Sequence, residues 1–576
     1  MILQALAKYY DRKAVDSNAG MAPLGFEAKE IPFILEIDTD GRLIQIEDTR
    51  EGEGKKKRAR VFMVPQSIKK TSGVASNLLW DNAEYMLGID TRGKPVRVVD
   101  QHAAFRERIR QLSDLTANDE GICSINRFLD NLDLEQLSSL SAWPDILAAN
   151  PNMSFRLNGE RDLICQRPAV IAAIKAKESS DNAGKALCLI TGNQDEIERL
   201  HTSIKGVWGA QSSGANVVSF NLDAFNSFGK TQGDNAPVGK QTAFAYTTAL
   251  NHLLGKDSPQ RMQVGDASTV FWAEKQTELE TGVANIFGEP PKDDPDRNVR
   301  AVEQLFKSVH NGRYVADDGP TRFYVLGLAP NAARIAVRFW HVGTVGEMAE
   351  HIALHFEDLN IVHGPKEIDF LPIFRLLVST ANLGKADNIP PNLVGDIMRA
   401  ILEGIPYPQT LLGAAIRRIK AEQHINYPRA ALIKACINRA TRHSNSGNKE
   451  ELKVSLDEQN TNIGYRLGRL FAVLEKVQEE ANPGINATIR DRYYGSVSSS
   501  PVTAFSTLLK LSKHHIAKLG KGRAVNIERL IGEIMSTIQD FPAHLSITDQ
   551  GRFAIGYYHQ RQNFFKKSED KEMNDE

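Results

Sequence analysis

Hydrophobic and polar residues alternate over short runs in the first part of the chain, which is the pattern of half-buried β-strands. The runs IPFILEID and GRLIQIED flank the turn Asp38-Thr39-Asp40-Gly41 and predict a β-hairpin. The runs RVFMVP and VRVVD predict two more strands, and AAFRERIRQLSDL has helical spacing. The N-terminal part is therefore expected to mix strands and helices.

The same mixture continues through the middle of the chain. KALCLIT (185–191) predicts a buried strand before a Gly-Asn turn, and ANVVSFNL and STVFWAE predict two more strands. TAFAYTTALNHLLG predicts a helix that Gly255 ends. The segment 321–343 predicts two strands around a Pro-Asn turn, and the Pro-rich, acidic segment 287–298 predicts a surface linker.

From about residue 380 onward, apolar residues recur at i, i+3, i+4 and i+7, and clear strand patterns are missing. The chain is therefore predicted to be α+β, with a mixed α/β N-terminal body followed by an all-α helical bundle. A polar break, RHSNSGNKEE (442–451), divides the helical part. We predict a body at 1–380, a helical connector at 381–448, a bundle at 449–567 and an acidic disordered tail at 568–576.

Composition places the chain among ordinary globular proteins, with 576 residues, 41% apolar and 24% charged. No apolar run approaches the roughly 20 residues needed to cross a bilayer, and the opening MILQALAKYYDRK is too quickly interrupted for a signal peptide. We therefore expect a cytoplasmic protein that does not engage a membrane. The 4 cysteines form no CxxC pair, so they predict buried thiols in a reducing compartment.

Charge is unevenly distributed, although the formal net charge is only −1. Residues 50–110 hold fourteen Lys and Arg against seven Asp and Glu, and residues 453–567 hold sixteen against ten. Two basic regions in a neutral protein indicate local surfaces for an anionic partner. Solvated faces without a partner would give the same count, and charge alone leaves that alternative open.

Sequence signatures of nucleic-acid enzymes are missing. The chain has no GxxxxGK[ST] and no HExxH, and neither His514-His515 nor the dispersed histidines near 341–363 form a convincing metal-ligand pattern. Asp100 and His102 lie two residues apart, but a hydrogen-bonded histidine at the end of a strand explains them better than a catalytic pair. We expect no enzymatic activity, no catalytic residue, no metal and no cofactor.

The first candidate binding segment runs from Glu51 to Asp81 and combines basic, small and polar residues. A basic run after two glycines suits phosphate contact, and the residues behind it can donate to base edges or to phosphates. We take Trp80 as a core residue. The basic run is Lys55, Lys56, Lys57 and Arg58, and the following group is Lys69, Lys70, Thr71, Ser72, Gly73, Ser76 and Asn77.

The second candidate is the glycine-rich segment SFGKTQGDNAPVGK (227–240), which leads directly into a predicted helix. Such a loop at a helix N-terminus forms a ready anion site. An ordinary long surface loop has the same composition, so that alternative stays open. The candidate side chains here are Gln232, Asn235 and Lys240.

Several segments in order, from Met1 to about residue 565, resemble the large subunit of type I-C CRISPR interference complexes. They are MILQALAKYYDR, KKTSGVASNLLWDNAEYMLGID, SFGKTQGDNAPVGKQTAFAYTTALN, VGDASTVFWA and NTNIGYRLGRLFAVLEKVQEEANP.

The resemblance implies a subunit that recognises the protospacer-adjacent motif on duplex DNA, aids R-loop formation and helps recruit a separate helicase–nuclease. It assigns motif readout to Lys69–Asn77 and the second loop, and backbone contacts to the 55–58 run, although a clamp on the RNA handle or on a subunit would use the same residue types. The implied partners are guide CRISPR RNA, double-stranded target DNA, filament backbone subunits, a 5′-handle-binding subunit, small helical subunits and the helicase–nuclease.

The resemblance further implies that the C-terminal region is also made as a separate small subunit by internal translation, and that it holds the displaced strand. Two alternatives remain: an assembly scaffold, and a metal-dependent nuclease hidden among unrecognised carboxylates. The basic residues assigned to the displaced strand are Arg466, Arg469, Arg490, Arg492, Lys510, Lys513, Lys518, Lys521 and Arg523.

Overall fold

Strands and sheets occupy the N-terminal half of the chain and helices dominate the C-terminal region, which confirms the predicted α+β class. Contacts between Cα atoms divide the chain into two compact units. Unit 1 comprises Met1–Thr202 and Val218–His252, and unit 2 comprises Ser203–Val217 and the chain from Leu253 onward. The computed structural model describes residues 1–16, 20–52, 57–68, 73–113, 116, 118–179, 185–264, 266–287, 294, 297–311, 319–444 and 451–565.

Unit 1 is built from short strands and helices. Its strands are β1 (Phe26–Glu30), β2 (Phe33–Ile37), β3 (Leu43–Asp48), β4 (Arg50–Glu51), β5 (Arg58–Ala59), β6 (Val61–Pro65), β7 (Trp80–Asn82), β8 (Asn152–Leu157), β9 (Lys185–Leu187) and β10 (Gln194–Glu196). Its helices are α1 (Ile2–Ala14), α2 (Ala83–Leu87), α3 (Pro95–Ser113), α4 (Glu120–Asp130), α5 (Leu134–Ser138), α6 (Trp143–Ala149), α7 (Pro168–Ser179) and α8 (Lys240–Leu253).

The main sheet of unit 1 has the strand order β3-β2-β8-β7. Strand β2 lies inside the sheet, antiparallel to β3 and parallel to β8, and all five of its residues are buried. The predicted hairpin is therefore confirmed. Its turn is tight because Gly41 has a φ of +80° and packs against α4, where a Cβ would lie 2.6 Å from the backbone nitrogen of Phe128.

Unit 2 combines one antiparallel sheet with a large helical core. The sheet has the order β11-β12-β13-β14, formed by β11 (Arg261–Val264), β12 (Ala267–Ala273), β13 (Arg322–Asn331) and β14 (Arg334–Thr344). The helices are α9 (Glu278–Phe287), α10 (Arg297–His310), α11 (Val345–Leu359), α12 (Ile373–Thr380), α13 (Pro391–Glu403), α14 (Gln409–Glu422), α15 (Tyr427–His443), α16 (Ile463–Ala481), α17 (Ile489–Ser499), α18 (Pro501–Ile516), α19 (Lys521–Met535) and α20 (Ile547–Asn563).

One hydrophobic core runs from the sheet of unit 2 through its C-terminal helices. Helices α16 and α20 pack closely because glycines line their contact. A Cβ on Gly468 would lie 2.0 Å from the carbonyl oxygen of Phe553, and a Cβ on Gly556 would lie 2.0 Å from that of Tyr465. Such a backbone approach leaves no room for any side chain at these two positions.

Two strand predictions are wrong. VRVVD lies inside α3, because Val98, Phe105, Ile109 and Leu112 recur at helical spacing and are buried on one face. The run ANVVSFNL forms only single bridges at Ala215 and Asn216, because strand propensity does not make a strand without a paired neighbour.

A third prediction is half right. KALCLIT does contain a strand, β9, but only three residues of it pair with β10. Leu187 and Leu189 are exposed rather than buried, and only Cys188 turns inward. The other predicted strands and helices are present: RVFMVP contains β6, STVFWAE overlaps β12, residues 321–343 form β13 and β14, and α8 ends at Leu253, just before Gly255.

The predicted linker 287–298 lies mostly outside the described residues, as do the middle of the polar break 442–451 and the C-terminal tail. Strands β11–β14 belong to the same compact unit as the C-terminal helices. The sequence pattern assigns these strands to the α/β body instead. The boundaries proposed at 380 and 448 stay predictions.

Candidate nucleic-acid interface

The first candidate segment lies only partly within the described structure. Lys55 and Lys56, and the four residues Lys69, Lys70, Thr71 and Ser72, fall outside the described residues. Gly73 follows directly, with a φ of +83° and nothing within 4 Å of where a Cβ would be. Its backbone is therefore exposed and open to close approach, and its role in motif readout stays a prediction.

Ser76 and Asn77 are buried, at 3% and 5% exposure. The Asn77 side-chain oxygen accepts a hydrogen bond from the backbone N–H of Ile68 at 3.1 Å, and the backbone N–H of Asn77 donates to the Asp81 carboxylate at 2.8 Å. The Ser76 hydroxyl donates to the backbone carbonyl of Asn77 at 2.9 Å. Both side chains therefore bind backbone groups of the protein and are buried, which corrects their placement among the groups facing DNA.

Lys57 and Arg58 are exposed, and Arg58 begins β5, which pairs with β4. The nearby carboxylate Asp48 is already engaged: a hydrogen bond from Arg50 lowers the pKa of Asp48, and Lys57 lowers it further through its charge. Since Arg50 supplies most of this stabilisation, the Lys57 ammonium stays available to another anion. The position of these two cations agrees with a backbone-contacting role, which stays a prediction.

In the second candidate segment, all three predicted side chains have partners within the protein, and Asn235 binds inside the loop itself. The Asn235 amide accepts from the N–H of Ser227 at 3.2 Å and donates to the carbonyls of Lys230 and Gln232 at 3.2 and 3.1 Å. Gln232 accepts a hydrogen bond from Arg199, and Lys240 forms an ion pair with Glu196.

The backbone of this loop also packs closely against neighbouring residues of the protein. A Cβ on Gly233 would lie 2.6 Å from the carbonyl oxygen of Glu198, and one on Gly239 would lie 2.0 Å from the Asp195 carboxylate. The structure therefore brings Gln232, Asn235 and Lys240 together, but as supports of the loop. Any contact with DNA through them would compete with these internal bonds.

The C-terminal helices present a basic segment without carboxylates. No Asp or Glu occurs between Asp491 and Glu528, a stretch that covers most of α17, all of α18 and the first half of α19. Lys518 donates to the Asn482 side chain at 3.1 Å, and Arg523 binds both oxygens of Glu480. Within the described chain, four further exposed cations of this segment have neither an ion pair nor a side-chain hydrogen bond: Arg492, Lys510, Lys513 and Lys521.

Helix α18 arranges these charges beside hydroxyl groups, because its apolar residues Ala504, Phe505 and Leu508 face the core. At spacings of three and four residues, the outward side then carries Thr503, Ser506, Thr507, Lys510, Lys513 and His514, all exposed. We call these six residues the α18 stripe. At about 1.5 Å rise per residue it is roughly 16 Å long, the length of about four or five nucleotide steps.

The match to known proteins covers almost the whole chain. A family model described as CRISPR-associated protein (Cas_Csd1) matches residues 6–565. The chain belongs to this CRISPR-associated family. No curated protein matches it.

Two of the arginines predicted on the basic surface of this CRISPR-associated protein lie inside it. Arg466 and Arg469 are 6% and 3% exposed, and the Arg469 guanidinium donates to the Gln560 side chain at 3.1 Å. Burial lowers the pKa of Arg469. They lie beneath the surface because α19 and α20 pack over α16, a contact between distant segments that helical periodicity alone does not reveal.

Arg490 is half-buried and is held by an interior carboxylate. Its guanidinium lies 3.8 Å from Glu475, which is fully buried and also accepts hydrogen bonds from Thr488 and Tyr557. An arginine compensating a buried carboxylate is costly to redirect to a ligand. Arg490 is therefore better explained as a structural residue of the CRISPR-associated protein than as part of its surface.

The sequence interpretation missed the hydroxyl groups of the α18 stripe. Their signal is visible in the sequence, because the stretch from Arg492 to Ile527 lacks any carboxylate while Ser, Thr, Lys and His recur at helical spacing. The described residues contain no cluster of three or more His, Cys, Asp or Glu side chains suited to a metal ion. Among the helices that the structure describes, none is long and apolar enough to cross a membrane.

Proposed function

We propose that this CRISPR-associated protein is the non-catalytic large subunit of a type I-C RNA-guided interference complex. The family match over residues 6–565 is the observation that carries the proposal, because it spans both candidate loops and the C-terminal helices together. In this role the protein examines the protospacer-adjacent motif, aids duplex opening and R-loop formation, and helps recruit a separate helicase–nuclease. Its partners are guide RNA, target DNA and the other subunits of the complex.

The two units support different parts of this role. Base pairing with a guide reads the sequence, so the protein needs only a short duplex contact and a track for the displaced strand. The glycine-rich loops of unit 1 offer exposed backbone at Gly73 and cations at Lys57 and Arg58. The α18 stripe of unit 2 offers ammonium and hydroxyl donors, which bind phosphates without reading bases.

The test uses the assembled complex with guide RNA, titrated at fixed salt against a duplex carrying the correct motif. K69E/K70E is expected to weaken target binding by about ten- to a hundredfold, since it reverses two cations at the proposed motif contact. Complex assembly should not change. The matched control K275E/K366E reverses two exposed lysines outside the proposed sites and should leave the affinity within about twofold.

Three results would contradict the proposal in different ways. Unchanged binding by K69E/K70E removes the motif site from this segment. Correct motif discrimination by complexes lacking this chain would make it a scaffold. Cleavage of labelled DNA by the purified protein with Mg²⁺ or Mn²⁺, abolished by one Asp or Glu substitution, would make it a nuclease.

A further inference from the structure

Phe228 stands at the tip of the second glycine-rich loop with 98% of its side chain exposed. Burial of a phenylalanine is among the larger favourable contributions to folding. An exposed ring in this position does not make that contribution to the stability of the protein. Lone exposed apolar residues are common. The backbone at Phe228 makes this one unusual.

Phe228 and Gly229 both have positive φ, at 51° and 72°, and the N–H of Lys230 donates to the carbonyl of Ser227 at 2.9 Å. This is the geometry of a type I′ turn, whose first central position favours Asn, Asp or Gly. A phenylalanine there is strained and has no packing to compensate it. A strained, fully exposed aromatic residue indicates a contact made outside the chain.

The turn holds Phe228 in a fixed place. The Asn235 amide binds Ser227 on one side of the turn and the carbonyl of Lys230 on the other. The exposed tip thus projects from a braced loop and is preorganised for a partner, which reduces the entropy lost on binding.

The chemistry around the tip favours a nucleic acid over a protein surface. The residues beside Phe228 on the turn are Ser227, Gly229, Lys230 and Thr231, all exposed and none of them apolar. A protein-binding surface surrounds its aromatic anchor with further contacts that exclude water. A lone ring beside a lysine and two hydroxyls instead matches one base stacked on the ring with a phosphate next to it.

We propose that Phe228 stacks on an unpaired nucleobase while Lys230 contacts the adjacent phosphate. This inference rests on the proposed function, since it supposes that the chain works on guide RNA and target DNA. The base belongs either to the guide RNA handle or to an opened position of the target, and both present the same aromatic face.

The experiment compares assembled complexes that carry wild-type Phe228, Phe228→Asn, Phe228→Leu or Phe228→Trp. Asn suits the positive φ and removes the ring without loosening the turn. Guide RNA affinity and target duplex affinity are measured separately at fixed salt, with 2-aminopurine fluorescence reporting base stacking in each strand. Phe374→Ala, at an exposed phenylalanine on α12, is the matched control.

We expect Phe228→Asn and Phe228→Leu to weaken the binding of either the guide RNA or the target duplex about five- to a hundredfold. Phe228→Trp should retain both affinities within about threefold. Loss in the RNA arm identifies the handle as the source of the base, and loss in the DNA arm identifies the target. The inference would be overturned if Phe228→Asn, or Phe228→Leu, bound both the guide RNA and the target duplex with wild-type affinity.

The outcome also separates this inference from the proposed function. If wild-type complexes bind guide and target no better than complexes lacking the chain, the proposed function fails. If wild-type complexes depend on the chain while Phe228→Asn binds as they do, only the stacking inference fails.

Discussion

The two candidate surfaces of this CRISPR-associated protein use their polar residues in opposite ways. In unit 1, the side chains of Asn77 and Asn235 bind backbone groups of Ile68, Ser227 and Lys230. In the α18 stripe of unit 2, Lys510 and Lys513 point outward from a helix whose opposite side is buried. Rigid loops that expose backbone suit recognition at a fixed point, whereas a line of cations suits a strand of any sequence.

This contrast follows from how each region gains its stability. A helix satisfies its own backbone hydrogen bonds, so its outward side chains are left for a ligand. A loop has no such ladder, and buried polar side chains must bind its backbone groups instead. A polar residue in a loop that is predicted to contact a ligand therefore often binds the backbone of the protein instead.

The largest effect should come from the α16–α20 contact, on which the helical region depends. Gly468→Ala places a Cβ 2.0 Å from the Phe553 carbonyl oxygen, and because a backbone atom cannot move aside cheaply, we expect a loss of at least about 3 kcal/mol in unfolding free energy. Denaturant unfolding followed by circular dichroism measures it. Gly532→Ala on α19, with nothing within 4 Å of its Cβ, should instead stabilise by about 0.5–1 kcal/mol. Equal effects of the two substitutions would refute the tight helix contact.

The corresponding weak point of unit 1 is Asn77. Asn77→Ala leaves the N–H of Ile68 without its acceptor, and we expect a loss of about 1–2 kcal/mol and faster proteolysis near residues 69–72. Differential scanning calorimetry and limited proteolysis measure these two effects. Asn158→Ala, at an exposed asparagine, should change stability by less than about 0.5 kcal/mol. If Asn77→Ala is equally mild, the side chain is not a support and is free for readout.

Binding of single-stranded DNA by the stripe should depend on the salt concentration and not on the DNA sequence. K510Q/K513Q/K521Q removes the two lysines of the stripe and the exposed Lys521 of α19, so the complex should bind single-stranded DNA about tenfold more weakly at 0.1 M salt. The slope of log affinity against log salt should decrease by about 2. Titrations at four salt concentrations measure both. R529Q, which removes a cation lying 3.8 Å from Glu533, serves as control. An unchanged slope for the triple variant would show that neither the stripe lysines nor Lys521 contact phosphates.

Acid should weaken the helical region through two buried histidines. Burial lowers the pKa of His559 to about 3 and that of His355 well below 6.5. Between these values and 6.5 the unfolded chain binds more protons than the folded one, so stability is complete above pH 6.5 and falls as the pH drops. We expect a loss of about 1 kcal/mol per pH unit for each histidine.

Melting temperatures between pH 7.5 and 5 measure this loss in wild type and in His559→Gln. The variant should show a shallower decline, because it lacks one of the groups whose protonation is linked to unfolding. His514→Gln, at an exposed histidine on α18, should leave the decline as it is in the wild type. A decline that neither substitution alters would place the acid-sensitive group elsewhere.

The sequence predicted the helical region far better than the loops, and the reason is physical. Helical period shows which residues face the core, so α16, α18 and α19 follow directly from the spacing of apolar residues. It does not show which polar faces another helix will cover, and Arg466 and Arg469 were misplaced for that reason. In the loops, the direction in which Ser76, Asn77 or Asn235 turns depends on contacts with distant segments, which no local pattern encodes.

The smallest effect should come from Phe228, whose side chain is 98% exposed. Phe228→Asn exchanges a strained residue for one that suits the positive φ of its turn, so we expect the protein to gain about 0.5–1 kcal/mol of unfolding free energy. Denaturant unfolding of the full chain measures the gain, with Phe228→Leu as a control that should keep the strain. A loss of stability in Phe228→Asn would mean that the ring packs on the protein. A gain in stability together with a loss of nucleic-acid binding would show that the strained backbone at Phe228 serves ligand binding. The α18 stripe, by contrast, presents its charges from a regular helix without backbone strain.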